Sequence, residues 1–309
     1  MRIATRKSAL ALWQSEFIKS KLEEKYGYNV ELIGLKTKGD VILDSPLSKI
    51  GGKGLFTKEL EIWMLEGKAD IAVHSLKDVP VEIENGLILG AVSKRADVRD
   101  CFVSEKYTSL FDLPQNAKIG TTSLRRVMQL KILRKDLQMV SLRGNINTRL
   151  NKLKNGEFDA IILAKAGIDR LNLKDFIKFI VPFSIFDMIP AMGQGVLGIE
   201  CLNKKEILEE IAFLNDEKSV IETTIERDFV KELNGGCQAP IGINTQVCDD
   251  IVKIKMIVGT PDASEFIKDE KEISLCDYKN IGQILAQDFI KKGAKEILAR
   301  AEILAKDFI

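Results

Sequence analysis

One pattern occurs three times between residues 118 and 170: a short apolar strand, a polar turn and a helical segment. The strands are Lys118–Gly120, Gln138–Leu142 and Ala160–Ala164. This alternation is typical of a mainly parallel sheet whose crossover helices cover its faces. Because the carboxyl ends of parallel strands meet at one edge, the polar turns should line a single crevice. The pattern predicts an α/β fold with a binding site at that edge.

Arginines follow each of these turns, near the predicted helix N-termini. Free N–H groups and the helix dipole already favour anions there. Arginine also suits planar, bidentate recognition of carboxylate or phosphate. A single surface arginine needs no function, but this set indicates an anion-binding crevice. Its members are Arg125, Arg126, Arg143, Arg149 and Arg170.

A further polar turn follows the apolar strand Ile71–Val73. The turn contains His74, Ser75, Lys77 and Asp78, and Pro80 closes it because proline cannot continue a ladder. One interpretation is a surface turn with a solvated charge pair, since charged turns are common. The other is a reactive centre, because α/β proteins place chemistry where strands end.

The N-terminal region predicts a strand over residues 1–7 and a helix capped by Ser8 that ends near Gly27. The later segment Asp44–Phe56 is glycine-rich and aperiodic, but it lacks the spacing of a phosphate-binding P-loop. It is either a flexible linker or a lid with glycine hinges.

The C-terminal third predicts a small α+β domain. Val196–Cys201 is an apolar strand that we expect to return to the first sheet. An amphipathic helix over 216–233 is followed by a hairpin within 241–258 and by two helices, about 277–292 and 295–308.

Five cysteines are scattered without a CxxC pair, and the chain has one histidine. This argues against a disulfide framework or a metal site and favours a reducing cytoplasm. Cys101, Cys201 and Cys276 have the surroundings of small hydrophobic residues. Cys237, between a double glycine and Gln238, is either an unused thiol or a functional one. Its place after a helix C-terminus should not lower its pKa.

Charge and hydropathy exclude several classes of function. Lys+Arg 46 against Asp+Glu 45 gives a net charge of +1, so no global field recruits nucleic acid or an acidic membrane. Few aromatic residues lie among the arginines, which disfavours a phosphate-tracking groove. No apolar run reaches transmembrane length, and the N-terminus lacks a signal-peptide core. Several small carboxylates fit the arginines better.

These motifs identify a resemblance that covers essentially the whole length. The chain resembles the porphobilinogen deaminase family. Ala9, Thr122 and Asn147 depart from common family residues, but none removes a charged or nucleophilic group. The carrying motifs are Arg6-Lys7-Ser8 with residues 10–14, Gly51–Leu60, Asp70–Pro80, Gly120–Arg126, Ser141–Arg149, Gly193–Gly195 and Gly235–Pro240.

The resemblance implies an enzyme that joins four porphobilinogen molecules head to tail, with loss of ammonia each time, and releases hydroxymethylbilane. It also implies a dipyrromethane cofactor held by a thioether to Cys237. Loss of ammonia from porphobilinogen gives an azafulvene, which is electrophilic enough to react with a poorly activated thiol. The many acetate and propionate groups of such a chain would explain the arginines.

The resemblance also implies roles for individual residues. Asp78 would be catalytic, stabilising positive charge and handling the proton. Phe56 would stack on a pyrrole, whereas His74 is expected to be structural. The implied cofactor-binding residues are Cys237, Ser75, Lys77, Asp78, Thr122, Ser123, Arg125, Arg126, Arg143 and Gly144. The implied substrate-binding residues are Arg6, Ser8, Phe56, Arg143, Arg149 and Arg170.

The expected architecture is two lobes like those of a periplasmic binding protein, with mainly parallel sheets, plus a small α+β C-terminal domain. The first lobe would be residues 1–96 with 191–213, the second 97–190, and the cofactor-attachment domain 214–309. We expect a cytoplasmic monomer. Two alternatives remain: a solute-binding or sensor module that clamps an organic anion, and a nucleic-acid binder with steep salt dependence.

Overall fold

The computed structural model describes residues 1–35, 37, 54, 57–236 and 238–308. Within these residues the strands form three sheets, two of five strands and one of three. Helices pack on the sheets, and each sheet has its own buried apolar core. The predicted architecture of two α/β lobes and a small α+β domain is confirmed.

The N-terminal part alternates strands and helices. Its first helix begins after Ser8, whose hydroxyl accepts a hydrogen bond from the Ala11 N–H, and it ends at Gly27 with a φ of +71°. Both helix ends were predicted, since serine caps N-termini and glycine adopts the left-handed conformation cheaply. The elements are β1 (Arg2–Arg6), α1 (Ala9–Tyr26), β2 (Glu31–Leu35), α2 (Lys58–Leu65), β3 (Ile71–Ser75) and β4 (Leu87–Val92).

The middle of the chain contains the three predicted strand–turn–helix units. The first and third strands have the predicted bounds, and the second ends two residues earlier, at Val140. The elements are β5 (Asp100–Ser104), β6 (Lys118–Gly120), α3 (Leu124–Leu133), β7 (Gln138–Val140), α4 (Ile146–Lys154), β8 (Ala160–Ala164), α5 (Lys165–Arg170) and β9 (Phe179–Pro182).

The C-terminal third contains the predicted long helix, hairpin and two final helices. It also contains one strand that the sequence did not predict, Phe266–Ser274. The elements are β10 (Leu197–Leu202), α6 (Lys205–Ile211), α7 (Glu217–Glu232), β11 (Ile241–Cys248), β12 (Ile251–Gly259), β13 (Phe266–Ser274), α8 (Ile281–Lys291) and α9 (Ala294–Phe308).

The first sheet has the strand order β2-β1-β3-β10-β4. β1 is parallel to β2 and β3, whereas β10 runs antiparallel to β3 and β4. The chain therefore leaves this lobe after β4 and returns as β10, which confirms the predicted return of the strand over 196–201. Arg6 and Ser75 lie at the carboxyl ends of β1 and β3.

The second sheet has the order β7-β6-β8-β5-β9. β6 is parallel to β7 and β8, and β5 is antiparallel to β8 and β9. Because β6, β7 and β8 are parallel, the turns that follow them lie at one edge of the sheet. This is the edge where the sequence predicted the arginine cluster.

The cysteines show one correction. Cys101 and Cys201 are buried in β5 and β10, and burial raises their pKa values to about 12 and about 11. Cys276 is exposed, because it lies in a 3-10 turn beyond the edge strand β13, so its interpretation as an ordinary small hydrophobic residue was wrong. Cys237, Phe56 and, apart from Gly54, the predicted lid over 44–56 lie outside the described residues.

Candidate active site

The turn after β3 presents one exposed carboxylate. β3 runs directly into a 3-10 helix over Leu76–Asp78, and the Val79 N–H donates to the Leu76 carbonyl at 3.1 Å. Leu76 and Val79 are buried, whereas Asp78 is exposed. The apolar pair thus anchors the turn in the lobe and leaves Asp78 facing outward.

Lys77 connects this turn to a buried polar network. Its Nζ lies 3.3 Å from Oε1 of Gln194, whose Nε2 donates to Asp100 Oδ1 at 3.0 Å and to the Val98 carbonyl at 2.6 Å. Burial of the ammonium lowers the pKa of Lys77 to about 8, against the attraction of Asp78. Gln194, on the segment that returns to the first lobe, therefore joins residues of both lobes.

Asp100 at the start of β5 pairs with two arginines of α3. Its Oδ2 lies 2.7 Å from Arg125 Nη2, and its Oδ1 lies 2.7 Å from Arg126 Nη2. Burial alone would raise the pKa of Asp100, but the two guanidinium groups hold it well below its usual range. Asp100 is fully buried, so this is an internal ion cluster.

Backbone carbonyls fix the same two guanidinium groups further. Arg125 Nη1 donates to the Ile189 carbonyl at 2.6 Å, and Arg126 Nη1 donates to the Ile162 carbonyl at 2.9 Å. Burial lowers the pKa of Arg125, although Asp100 opposes this. Binding along a nucleic-acid backbone requires exposed cations, so these two buried and oriented arginines do not suit it. The sequence identified both arginines but missed their shared partner.

Asp100 and Gln194 are therefore the residues that sequence reasoning missed. The signal for Asp100 was an acidic residue opening the apolar strand Asp100–Ser104. Such a residue is buried only when it is paired, and the arginines of the pattern were available partners. Gln194 stood inside a quoted motif, Gly193–Gly195, but nothing in its neighbours indicated a contact near Asp100.

Arg149 in α4 lies within electrostatic reach of Asp78. Its Nε donates to the Gly144 carbonyl at 2.8 Å. Burial lowers its pKa to about 10, helped by the charges of Arg126 and Arg143 and opposed by that of Asp78. The second lobe thus brings guanidinium groups within electrostatic reach of the first lobe's carboxylate.

Gly144 has a conformational role at this turn. Its φ is +109°, and a Cβ there would lie 2.7 Å from Thr148 Cγ2. No other residue fits without strain, so this glycine lets the chain turn between Arg143 and α4. Burial also lowers the pKa of Arg143.

Arg170 corrects one detail of the pattern. It is the last residue of α5, so it lies at a helix C-terminus and not near the N-terminus as predicted. Its Nη2 donates to the Gly195 carbonyl at 2.8 Å, and its guanidinium carbon is 5.8 Å from the Trp13 ring centroid. Burial lowers its pKa to about 10. Arg170 therefore touches the first lobe and the returning segment.

The small polar residues lie at strand and helix ends. Ser75 Oγ accepts a hydrogen bond from Gln14 Nε2 at 2.8 Å, so α1 is tied to the end of β3. Thr122 and Ser123 are half-buried in the turn between β6 and α3. Arg6 ends β1, and Ser8 follows it as the α1 cap. These residues rim the same carboxyl-end edges as the charged cluster.

His74 lies away from solvent, in the strand that precedes the turn of Asp78. It is buried in β3, and its Nε2 is 3.1 Å from Oε2 of Glu200 on β10. This placement is that of a structural histidine, as expected. Among the described residues no group of three or more His, Cys, Asp or Glu is placed to hold a metal ion. Nor does any helix in the described ranges have the length and apolarity to cross a membrane.

Comparison with known proteins follows this geometry. Residues 1–210 match the family model "Porphobilinogen deaminase, dipyromethane cofactor binding domain", and residues 220–291 match "Porphobilinogen deaminase, C-terminal domain". The porphobilinogen deaminase of Campylobacter hominis is 65% identical over 305 residues, covering 99% of each chain. That of Campylobacter curvus is 60% identical over 306 residues, covering 99% of this chain and 98% of its own. A periplasmic substrate-binding protein from Coxiella burnetii is 15% identical, with a TM-score of 0.45 over 71% of this chain and 94% of its own.

Proposed function

Because the chain belongs to the porphobilinogen deaminase family, we propose that the residues described above carry out the family's reaction. The protein is a transferase that polymerises porphobilinogen in tetrapyrrole biosynthesis, and it uses a dipyrromethane cofactor. Four substrate molecules are joined head to tail with loss of ammonia to give hydroxymethylbilane.

The observation that carries the assignment of residues is a set of desolvated guanidinium groups, one of which, that of Arg149, lies within electrostatic reach of Asp78. Burial lowers the pKa values of Arg143, Arg149 and Arg170, so a bound anion would stabilise the charged form of each guanidinium group. Dipyrromethane and its substrates bear acetate and propionate groups, which arginine binds in a bidentate manner. The donor set of this site therefore fits the cofactor.

Arg125 and Arg126 would hold the cofactor's carboxylates through the N–H donors that Asp100 and the carbonyls of Ile189 and Ile162 leave available. Lys77, Ser75, Thr122, Ser123 and Gly144 complete the proposed cofactor site. When bound, the cofactor supplies the pyrrole carbon on which the product is built. We assign Arg6, Ser8, Arg143, Arg149 and Arg170 to the carboxylates of incoming substrate.

Asp78 is the proposed catalytic residue. Positive charge develops when the substrate loses ammonia, and a preorganised carboxylate stabilises such charge. Asp78 lies within electrostatic reach of Lys77 and Arg149, beside the carboxylate-binding cluster. Its Oδ atoms can then take up the proton that the reacting pyrrole releases.

Cys237 is the proposed point of cofactor attachment. α7 ends at Glu232, and Asn234 adopts a φ of +53° as the chain turns toward Gly235 and Gly236. The thiol thus follows the negative end of a helix dipole, which suits a permanent thioether better than a reactive thiolate. Phe56 and the segment 44–56 are proposed to cover the cleft and exclude water.

We also propose the division into 1–96 with 191–213, 97–190 and 214–309. The strand composition of the three sheets supports it, since β10 joins the first sheet and β11–β13 form their own. A cytoplasmic location is supported by the free cysteines Cys101, Cys201, Cys248 and Cys276. We propose a monomer, because the described cleft is built within one chain.

Turnover tests this function directly. Purified protein supplied with porphobilinogen should release ammonia and form hydroxymethylbilane. Arg143→Leu should stall this production, since it leaves carboxylates without their cation, whereas Lys154→Leu, an exposed change in α4, should not. Binding of porphobilinogen without ammonia release would instead indicate a solute-binding module and contradict the proposal.

A further inference from the structure

Arg227 of α7 contacts the backbone that immediately follows Asp78. Its Nη2 donates to the Pro80 carbonyl at 2.7 Å and to the Val81 carbonyl at 3.3 Å. Its Nη1 donates to the Val79 carbonyl at 3.3 Å. One half-buried guanidinium group therefore holds three successive carbonyls of the catalytic turn, which we define as residues 76–81.

Apolar contacts join the same turn to the same helix. Val220, also in α7, packs against the cluster that contains Leu76 and Val79. Val81 packs against the core of the C-terminal domain. The catalytic turn is thus held from both sides of Asp78 by residues outside its own lobe.

α7 is a rigid support for these contacts. The fully buried Glu226 accepts hydrogen bonds from the Gly193 N–H at 2.7 Å and from the Thr245 N–H at 2.8 Å. Its oxygens also pair with Arg95, which donates to the Gln194 carbonyl at 3.1 Å. The helix is therefore fixed to the returning segment and to β11.

The same helix leads to the proposed cofactor anchor. From its end at Glu232 the chain passes through residues 234–236 to Cys237. The helix that holds the turn of Asp78 is thus also the helix from which the attachment loop emerges. Among the described elements, only α7 both donates such a group of hydrogen bonds to the carbonyls of the catalytic turn and precedes the loop that carries Cys237.

We infer that Arg227 is a positioning residue that fixes the Asp78 carboxylate relative to α7, the helix that precedes Cys237 in the chain. This rests on the function proposed above. The planar fork of arginine donates in several directions at once, which lets it hold three carbonyls, whereas a lysine ammonium is a flexible point charge. Loss of Arg227 frees the turn, so Asp78 loses its alignment, while the covalent anchor and the arginines of the second lobe are unchanged.

Steady-state kinetics on loaded enzyme test this inference. The intact mass of Arg227→Ala should still include that of the cofactor. Its kcat should fall roughly 10- to 100-fold, since misplacement of about 1 Å can cost about 100-fold. KM should change much less. Arg227→Lys should restore part of kcat, and Arg227→Gln provides a polar variant if Arg227→Ala does not fold. Lys231→Ala, an exposed change one turn along α7, is the matched control and should match the wild type.

A double-mutant cycle separates positioning from a general structural role. If Arg227 acts through Asp78, adding Arg227→Ala to Asp78→Asn should leave the small residual rate almost unchanged. Backbone amides of Val79, Val81 and Glu82 should also exchange hydrogen faster in Arg227→Ala than in Lys231→Ala. An unchanged kcat in loaded Arg227→Ala and Arg227→Gln, an equal loss in the Asp78→Asn background, or a missing cofactor mass would each overturn the inference. Failure of the proposed function itself would appear differently, as a wild-type protein that makes no product.

Discussion

In this site an exposed carboxylate lies beside cations whose charge is destabilised by burial. Asp78 is exposed, yet it lies within electrostatic reach of Lys77 and Arg149, whose pKa values burial lowers to about 8 and about 10. Burial disfavours the charged form of both groups, and each substrate or cofactor carboxylate that binds nearby favours it again. The site is therefore prepared for a polyacid, while its own carboxylate remains accessible to developing positive charge.

Asp78→Asn tests this arrangement at one atom. The change preserves shape but removes the negative charge, so we expect turnover to fall by roughly 100- to 1000-fold while cofactor mass is retained. Asp175→Asn, an exposed change in the second lobe, serves as the control. Near wild-type turnover of loaded Asp78→Asn would remove Asp78 from its catalytic role.

Lys77 predicts a pH dependence. Its pKa of about 8 means that the ammonium loses its proton as the pH rises through that value, so carboxylate binding weakens on the alkaline side. We expect the rate at which cofactor-free protein acquires the cofactor to decline above about pH 8, because no bound carboxylate stabilises the Lys77 ammonium in that state. In Lys77→Arg this alkaline decline should move out of range, because guanidinium stays protonated. A decline identical in both proteins would assign it to another group.

At the scale of elements, β5 and α3 are joined by the ion cluster of Asp100. The strand supplies one buried carboxylate, and the helix supplies Arg125 and Arg126. Because α3 starts where β6 ends, this cluster fixes the helix that carries the proposed cofactor contacts. Its energetic value lies in the pairing, since an unpaired buried charge is strongly destabilising.

Asp100→Asn should therefore lower the free energy of unfolding at neutral pH by about 3–5 kcal/mol. Because its pKa is depressed, the contribution of Asp100 is present above the usual carboxyl range near 4 and is lost as the pH falls through the lowered value. Urea unfolding at several pH values would measure this. Asp136→Asn, which breaks a half-buried pair with Arg134, should have a smaller effect. Equal stability of Asp100→Asn and wild type at neutral pH would contradict the argument.

Most elements could be predicted from local pattern, and one exception is instructive. β6 and β8 were predictable because short apolar runs preceded polar turns. β13 was missed, since its segment 266–274 is largely charged and exposed. It forms by pairing with β12, where Lys253 and Lys255 lie opposite Glu272 and Glu270. Such cross-strand pairs are invisible until the register is known.

At the scale of the whole molecule, Arg95 joins the first lobe to the C-terminal domain. Burial opposes its charge, but Glu226 and Glu222 raise the pKa of Arg95 above its usual value. Its Nη1 lies 2.8 Å from Glu226 and 3.2 Å from Glu222. The partners are 131 and 127 positions away in the chain, so no local pattern could have indicated them. The same holds for Gln194 and Asp100, whereas Asp78 and the arginines were predictable because each follows a strand.

Arg95→Leu should destabilise the protein by about 3–5 kcal/mol, because it leaves buried carboxylates without their cation. Glu226→Gln added to this variant should restore part of the loss. Arg300→Leu, which breaks an exposed pair with Glu265, should cost less than about 1 kcal/mol. Urea unfolding of the four proteins gives the comparison, and equal losses for Arg95→Leu and Arg300→Leu would refute the role of Arg95.

The intact mass of the purified protein, after incubation with porphobilinogen, tests the central claim most directly. The account predicts a mass above that of the sequence by two pyrrole units, retained in Cys248→Ser and absent in Cys237→Ser. An unmodified wild-type mass, or an adduct that persists in Cys237→Ser, would contradict it.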